Sequence, residues 1–117
     1  MLRINPATIN YNDVDYEIQL GTIDFTRLGR EDHGIFTFLL DFKFGGSGQG
    51  AGTYNLNDPR YMGQLIQAVL DFFKCNWEDL TGKRAFVLRE SHSGPIRGLM
   101  DEKQSKVLIF ADELKGS

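Results

Sequence analysis

The sequence predicts an α+β fold: a mostly antiparallel β-sheet or small open barrel, ordered β-β-β-α-β-β-β, with one main helix packed on one face. Three observations carry this. Apolar residues alternate with a period of two in the first and last thirds of the chain. Only one long stretch, after Pro59, has apolar residues at helical spacing. Glycine-, asparagine- and aspartate-rich turns separate the runs. At 117 residues the chain has room for one core, so residues 1–117 read as a single domain.

Residues 1–12 read as an arm or a short edge strand. Tyr16, Ile18 and Leu20 then alternate with Glu17 and Gln19, and past Gly21 the apolar set becomes Ile23 and Phe25. A phase change beside a glycine predicts a β-bulge or two short strands. "RLGREDHG" reads as a turn. Phe36, Phe38, Leu40, Phe42 and Phe44 follow on one face of a strand over residues 35–44, and its phenylalanines read as core. Past the glycines, residues 53–56 read as a resumed strand. Asp58 and Pro59 open the helix as cap and first residue. Met62, Leu65, Ile66, Val69, Leu70 and Phe73 make its apolar stripe. Asn76 caps a short turn of helix at Trp77–Leu80, which Gly82 ends. Three strands follow, over residues 84–90, 95–101 and 106–111. The last is apolar on both faces and therefore expected to be central or doubly covered. Residues 113–117 read as a polar tail.

Composition narrows the function. A 41% hydrophobic and 25% charged chain is that of a folded globule, not a disordered tail. No apolar run approaches the roughly 18 residues that span a membrane, and the first residues do not form a signal peptide. A cytosolic protein is the expectation. The net charge of −3 argues against nucleic acid as a partner. One cysteine, Cys75, permits no intrachain disulfide or cysteine-based metal site. No metal and no cofactor is expected. Trp77 reads as a packing anchor.

The segment "FGGSGQGAGTY" is the most unusual. Glycine-rich loops bind phosphates through bare backbone N–H groups. Against the Walker pattern, Gly45 and Gly50 have the right spacing, but Ala51 stands in place of lysine. The dinucleotide pattern fails at Ala51 or Thr53, and both patterns need a strand followed directly by a helix. What remains is a flexible hairpin tip, a backbone-lined ligand loop or a close subunit contact. Five glycines in eight positions is an entropically costly choice for a tip alone, which favours a shaped loop. As ligand contacts the loop offers Gly46, Ser47, Gly48, Gln49 and Gly50, with Tyr54 as a stacking residue. A second polar cluster, Glu31, Asp32 and His33, lies roughly 30 Å away along the intervening strand, so an antiparallel neighbour would be needed to join them. An Asp/His pair also suits a general base. Among the cations, Lys83 and Arg84 follow Gly82. Arg89 and Arg97 lie on neighbouring strands and, on a shared face, would hold a phosphate bidentately.

The elements E-D-H-G-I-x-T (Glu31–Ile35, Thr37), aromatic-G-G-S-G-Q-G-x-G-x-Y (Phe44–Gly50, Gly52, Tyr54) and W-E-D-L-x-G-K (Trp77–Leu80, Gly82, Lys83) resemble a family of small, mostly uncharacterised proteins of bacteriophages and prophages. The likeness covers roughly residues 20–112. It departs at Phe44, where tyrosine is usual, around the helix and at the carboxy-terminal end. It carries no catalytic residues. It implies a non-enzymatic, oligomeric protein of the infected host's cytoplasm. Such a protein would bind a small anionic ligand, such as a cyclic nucleotide used in host defence, and sequester it. The alternatives are a protein-interaction module with the glycine segment at an interface, and a small hydrolase using Asp32 and His33.

Overall fold

The computed structural model describes residues 7–30, 36–52, 59–91 and 94–113. They form an open, seven-stranded antiparallel sheet with one main helix. The strands are β1 (Ala7–Tyr11), β2 (Val14–Arg30), β3 (Phe36–Lys43), β4 (Gly48–Gly52), β5 (Arg84–Arg89), β6 (Ile96–Met100) and β7 (Val107–Ile109). Helix α1 (Pro59–Phe73) lies between β4 and β5, and a four-residue helix, α2 (Phe110–Glu113), follows β7. The spatial order is β4-β3-β2-β5-β6-β7, and β1 also pairs with β2. The expected fold class stands, as an open sheet.

Strand β2 organises the whole. It is 17 residues long and unbroken. Val14–Ile18 pair with β1, Glu17–Thr22 with β5 and Thr22–Arg30 with β3. The hairpin to β1 turns at Asn12 and Asp13, both at positive φ (51° and 65°), as a two-residue primed turn requires. Residues 7–11 are thus the edge-strand form of the expected amino-terminal segment. The irregularity lies between Ile23 and Phe25, not at Gly21. The apolar set changes because β2 serves two clusters on opposite faces. Tyr16 and Ile18 join Leu88 and Met100 on the outer face, whereas Ile23 joins the main core on the inner face. Past the bulge Phe25 turns outward, 43% exposed. In the expected turn "RLGREDHG" Arg27–Arg30 are strand, and residues 31–34 lie outside the described residues.

Strand β3 follows its alternation. Phe38, Leu40 and Phe42 are fully buried, and Phe38 meets Trp77 edge-on at 6.1 Å. From α1, Leu65, Val69 and Phe72 enter this inner core, with Ile66, Leu70 and Phe73 partly buried around them. Helix α1 ends where Lys74 takes the left-handed conformation (φ 55°) and Cys75 N–H returns to the Leu70 carbonyl. Lys106 closes the same end, its Nζ donating to the Phe72 carbonyl at 2.6 Å. Asn76 adopts the extended cap conformation before the 3-10 turn Trp77–Asp79, without a side-chain cap bond. Gly82 (φ 93°) donates to the Ile23 carbonyl and carries the chain onto the sheet.

One strand expectation changes in part. The last strand is not central, since it ends the sheet path, but it is covered on both faces as expected, with Leu108 in the main core and Val107 and Ile109 against the outer-face cluster. It covers only Val107–Ile109, because Phe110 starts α2 and buries its own ring. The glycine segment itself forms a strand, Gly48–Gly52, which its sequence does not announce. Residues 53–56, the Asp58 cap, Glu31, Asp32, His33, Tyr54 and residues 114–117 lie outside the described residues, and Glu113 of the expected tail belongs to α2.

The β6–β7 turn carries a titratable latch. Asp101 accepts bonds from Ser105 Oγ (2.7 Å), Ser105 N–H (2.7 Å) and Lys106 N–H (2.9 Å). The Ser105 hydroxyl, then the Lys106 N–H, hold its carboxyl below the usual aspartate range. A depressed folded-state pKa contributes stability above the unfolded pKa of about 3.9, and that contribution is lost as pH falls through the folded value. The stability difference between wild type and Asp101→Asn is therefore expected to be constant above about pH 5 and to shrink as pH falls below about 4. Urea midpoints taken from pH 6 to pH 2 measure it. A pH-independent difference would leave the latch without an electrostatic role.

Candidate functional site

The site begins at the β3–β4 hairpin. Phe44 N–H donates to the Ser47 carbonyl at 2.8 Å, which leaves Gly45 and Gly46 as a two-residue turn. Gly45 sits at φ 85°, the conformation that such a turn asks of its first central residue. Strand β4 then alternates. Gln49 and Ala51 pair with Phe42 and Leu40 and share their inner face, while Gly48 and Gly50 face outward and are exposed. At Gly50 a Cβ would lie 2.5 Å from Leu39 Cδ1, and at Gly48 3.0 Å from the Phe42 carbonyl oxygen and 3.2 Å from Lys43 Cδ. The side chains of β3 lean across the space that these glycines leave.

At one end of the inner face the apolar lining gives way to a polar junction. Glu17 stands directly across from Arg89, and Gln19 is two residues further along β2 on the same face. Arg89 is only 8% exposed. Its Nη1 donates to Gln49 Oε1 at 2.7 Å and its Nη2 to Gln19 Oε1. Its guanidinium carbon lies 5.6 Å from the centre of the Phe44 ring, a cation–π distance. Gln49 in turn donates through Nε2 to the Gly94 carbonyl at 3.0 Å. The curl of the sheet thus brings β4 to the β5–β6 turn, and one carboxamide ties them. Nε of Arg89 is buried without a hydrogen-bond partner. A buried guanidinium carries a desolvation cost that hydrogen bonds to neutral amides only partly offset.

Of the predicted ligand residues, the structure brings Gln49 and Arg89 together. It does not bring Arg97 to them. A bulge at Leu88/Arg89 pairs Arg89 with Ile96 and Leu88 with Gly98, so Arg97 is the extra residue, and it pairs on the exterior with Glu90 at 3.4 Å. Ser47 and Gly46 lie in the exposed hairpin turn. Arg84 faces Glu102 at 3.7 Å, both about half exposed, a contact of little energetic weight. Gln19 and Glu17 belong to the junction but are absent from the predicted set. The available signal was polar residues at positions of β2 that face the same side as buried Ile23.

Elsewhere, an open depression of about 780 Å³ lies beyond the end of α1, lined by Asp71, Lys74, Cys75, Asp79 and Lys83 among others. It contains none of the predicted ligand residues. Among the described residues no three His, Cys, Asp or Glu side chains are grouped to hold a metal, and no helix is long and apolar enough to cross a membrane. Comparison with protein-family models, with curated proteins and with solved structures finds no match to this chain.

Proposed function

We propose that this chain is a non-enzymatic binding protein for a small anionic ligand of nucleotide type. The ligand is seated at the junction of β2, β4 and the β5–β6 turn, with Arg89 as the anion contact and Gln49 and Gln19 as polar contacts. The observation that supports this reading is the buried Arg89 guanidinium, bonded to two neutral carboxamides and holding one N–H in reserve. Arginine presents several donors in a fixed fork and suits a phosphate. The phage resemblance supplies the biological setting: sequestration, in the infected cell, of a cyclic nucleotide that signals for host defence, by an oligomer of this chain. Glu31, Asp32, His33 and Tyr54 complete the proposed contacts, on base or ribose.

Titration with a panel of cyclic di- and trinucleotides tests this. Ligand at 100 times Kd adds about 2.7 kcal/mol of stability, a rise in Tm of roughly 11 °C for a chain of this size. Arg89→Met keeps the length and apolar stem of the side chain. It leaves the Gln49 and Gln19 carboxamide oxygens without their charged donor, a loss of about 1–3 kcal/mol for each, and the folded protein is expected to lose the ligand-induced shift. Absence of a shift with every nucleotide at millimolar concentration overturns the reading, as does an Arg89→Met protein that still binds. Chromatography of the ligand after long incubation addresses the hydrolase alternative: intact ligand eliminates it.

A further inference from the structure

The outer edge of β4 has a hydrogen-bonding pattern of its own. In an antiparallel ladder, pairs that exchange hydrogen bonds alternate with pairs whose N–H and C=O groups point away from each other. The bond from Phe44 N–H to the Ser47 carbonyl sets the phase. Phe42/Gln49 and Leu40/Ala51 are then the bonded pairs, whereas Lys43/Gly48, Asp41/Gly50 and Leu39/Gly52 are not. The outward backbone groups of β4 therefore all belong to glycines: 48, 50 and 52. Strand β4 ends the sheet path, and among the described residues no strand pairs with its outer edge.

Edge strands are normally protected by charge, proline or a bulge. Strand β4, with sequence GQGAG, has none of these, and its register with β3 is continuous. On the outer face the nearest side chains are those of β3 leaning over the glycines.

We infer that β4 pairs antiparallel with β4 of a second copy of this chain, about a two-fold axis at Gly50. Centred there, Gly50 faces its own symmetry mate and Gly48 faces Gly52 of the other copy. Every outward N–H and C=O of the strand then finds a partner. No other antiparallel register uses all three glycines of both copies. This self-complementarity selects a second copy over an unrelated peptide. Strand addition by a peptide takes its specificity from side-chain pockets beside the edge, and glycines at alternate positions offer none on that face. Leu39, whose tip lies over Gly50, approaches its mate across the seam. Lys43 keeps its own partner, Asp41, at 3.8 Å, so no unpaired charge is brought to the axis. An isologous contact of this kind closes at two copies. An edge five residues long buries well under about 1,000 Å², so the dimer is weak and depends on concentration.

The inference rests on backbone register and not on Arg89, so a failure of ligand binding leaves it standing, and the reverse holds. Sedimentation and residue-resolved amide exchange, from about 10 µM to 1 mM protein, test it without any variant. The expected result is a monomer–dimer equilibrium in which the Gly48, Gly50 and Gly52 amides slow about tenfold or more as dimer forms, while Gln49 and Ala51 are protected throughout. Gly50→Pro removes an outward N–H and keeps the ladder to β3, because edge strands accept proline at that side and the atom its Cβ meets is the tip of the Leu39 side chain, which can rotate away. It is expected to stay folded and monomeric. A chain that is monomeric at 1 mM overturns the inference. So does a dimer whose three glycine amides exchange freely, and so does protection of those amides at every concentration.

Discussion

Gly98→Ala is expected to destabilise the protein by about 3 kcal/mol, whereas Gly63→Ala is expected to stabilise it by about 0.5–1 kcal/mol. The chemical change is the same and the surroundings decide the sign. Gly98 lies in β6 between Leu88 and Ile109 of the adjacent strands. A Cβ there would be 2.3 Å from the Leu108 carbonyl oxygen, 2.9 Å from Ile109 Cδ1 and 3.2 Å from Ile109 Cα. Two of these atoms are backbone, so relief requires β7 to move. That strand is only three residues long, and it carries Leu108 and leads into Phe110, both of which fill the main core. Displacing it disturbs two core side chains as well as the ladder. Gly63, by contrast, is an exposed position within α1 with no atom within 4 Å of the added carbon. Alanine there only removes the entropy that glycine loses on entering a helix. Urea unfolding of both variants gives the two values. A Gly98→Ala protein within 0.5 kcal/mol of wild type, a bound set by the size of ordinary surface substitutions, would mean that β7 yields at little cost.

The sequence resolves unevenly, and the reasons are physical. Strand β3 and helix α1 are legible because each puts one face against a single apolar layer, so the period survives in the residues. Strand β2 is harder, since it buries Tyr16 and Ile18 on one face and Ile23 on the other. The change looks like a phase slip at Gly21, but the cause is a change in which face is covered. Strand β4 is not legible as a strand, because glycine has low strand propensity and no side chain to show alternation. It forms because Gly45 makes the tight turn and because Leu39 and Lys43 occupy the space over Gly50 and Gly48. Within the candidate site, Gln49 stands out through the glycine element and Arg89 through its charge. Their junction spans 40 residues of chain and depends on the curl of the sheet. Arg97 would share a face with Arg89 in a regular meander, and one bulge residue moves it outside.

The same bulge logic separates two phenylalanines that look alike in sequence. Phe42→Ala is expected to cost about 3–5 kcal/mol, and Phe25→Ala under about 1 kcal/mol, in line with an outward-facing position. Phe42 is fully buried between β2 and β4, across from Ile23 on one side and Gln49 on the other. Its removal leaves a cavity bounded by elements that are fixed by their own ladders and cannot collapse freely. Gln49 also rests against this position, so the loss is expected to loosen the tie from β4 to Arg89. Phe25 follows Ile23 at strand spacing and would be assigned to the core on alternation alone, yet the irregularity after Ile23 sets it opposite Asp41 with 43% of its surface exposed. Truncating it removes little buried area. Urea midpoints of the two variants at one pH decide the matter. Comparable losses at both positions would place Phe25 in a core and would put the bulge, with the face assignments of β2 beyond it, in error. A large loss at Phe42 alone would tie the buried face of β3, and through Gln49 the position of Arg89, to the single run of alternating phenylalanines from which the fold was first legible.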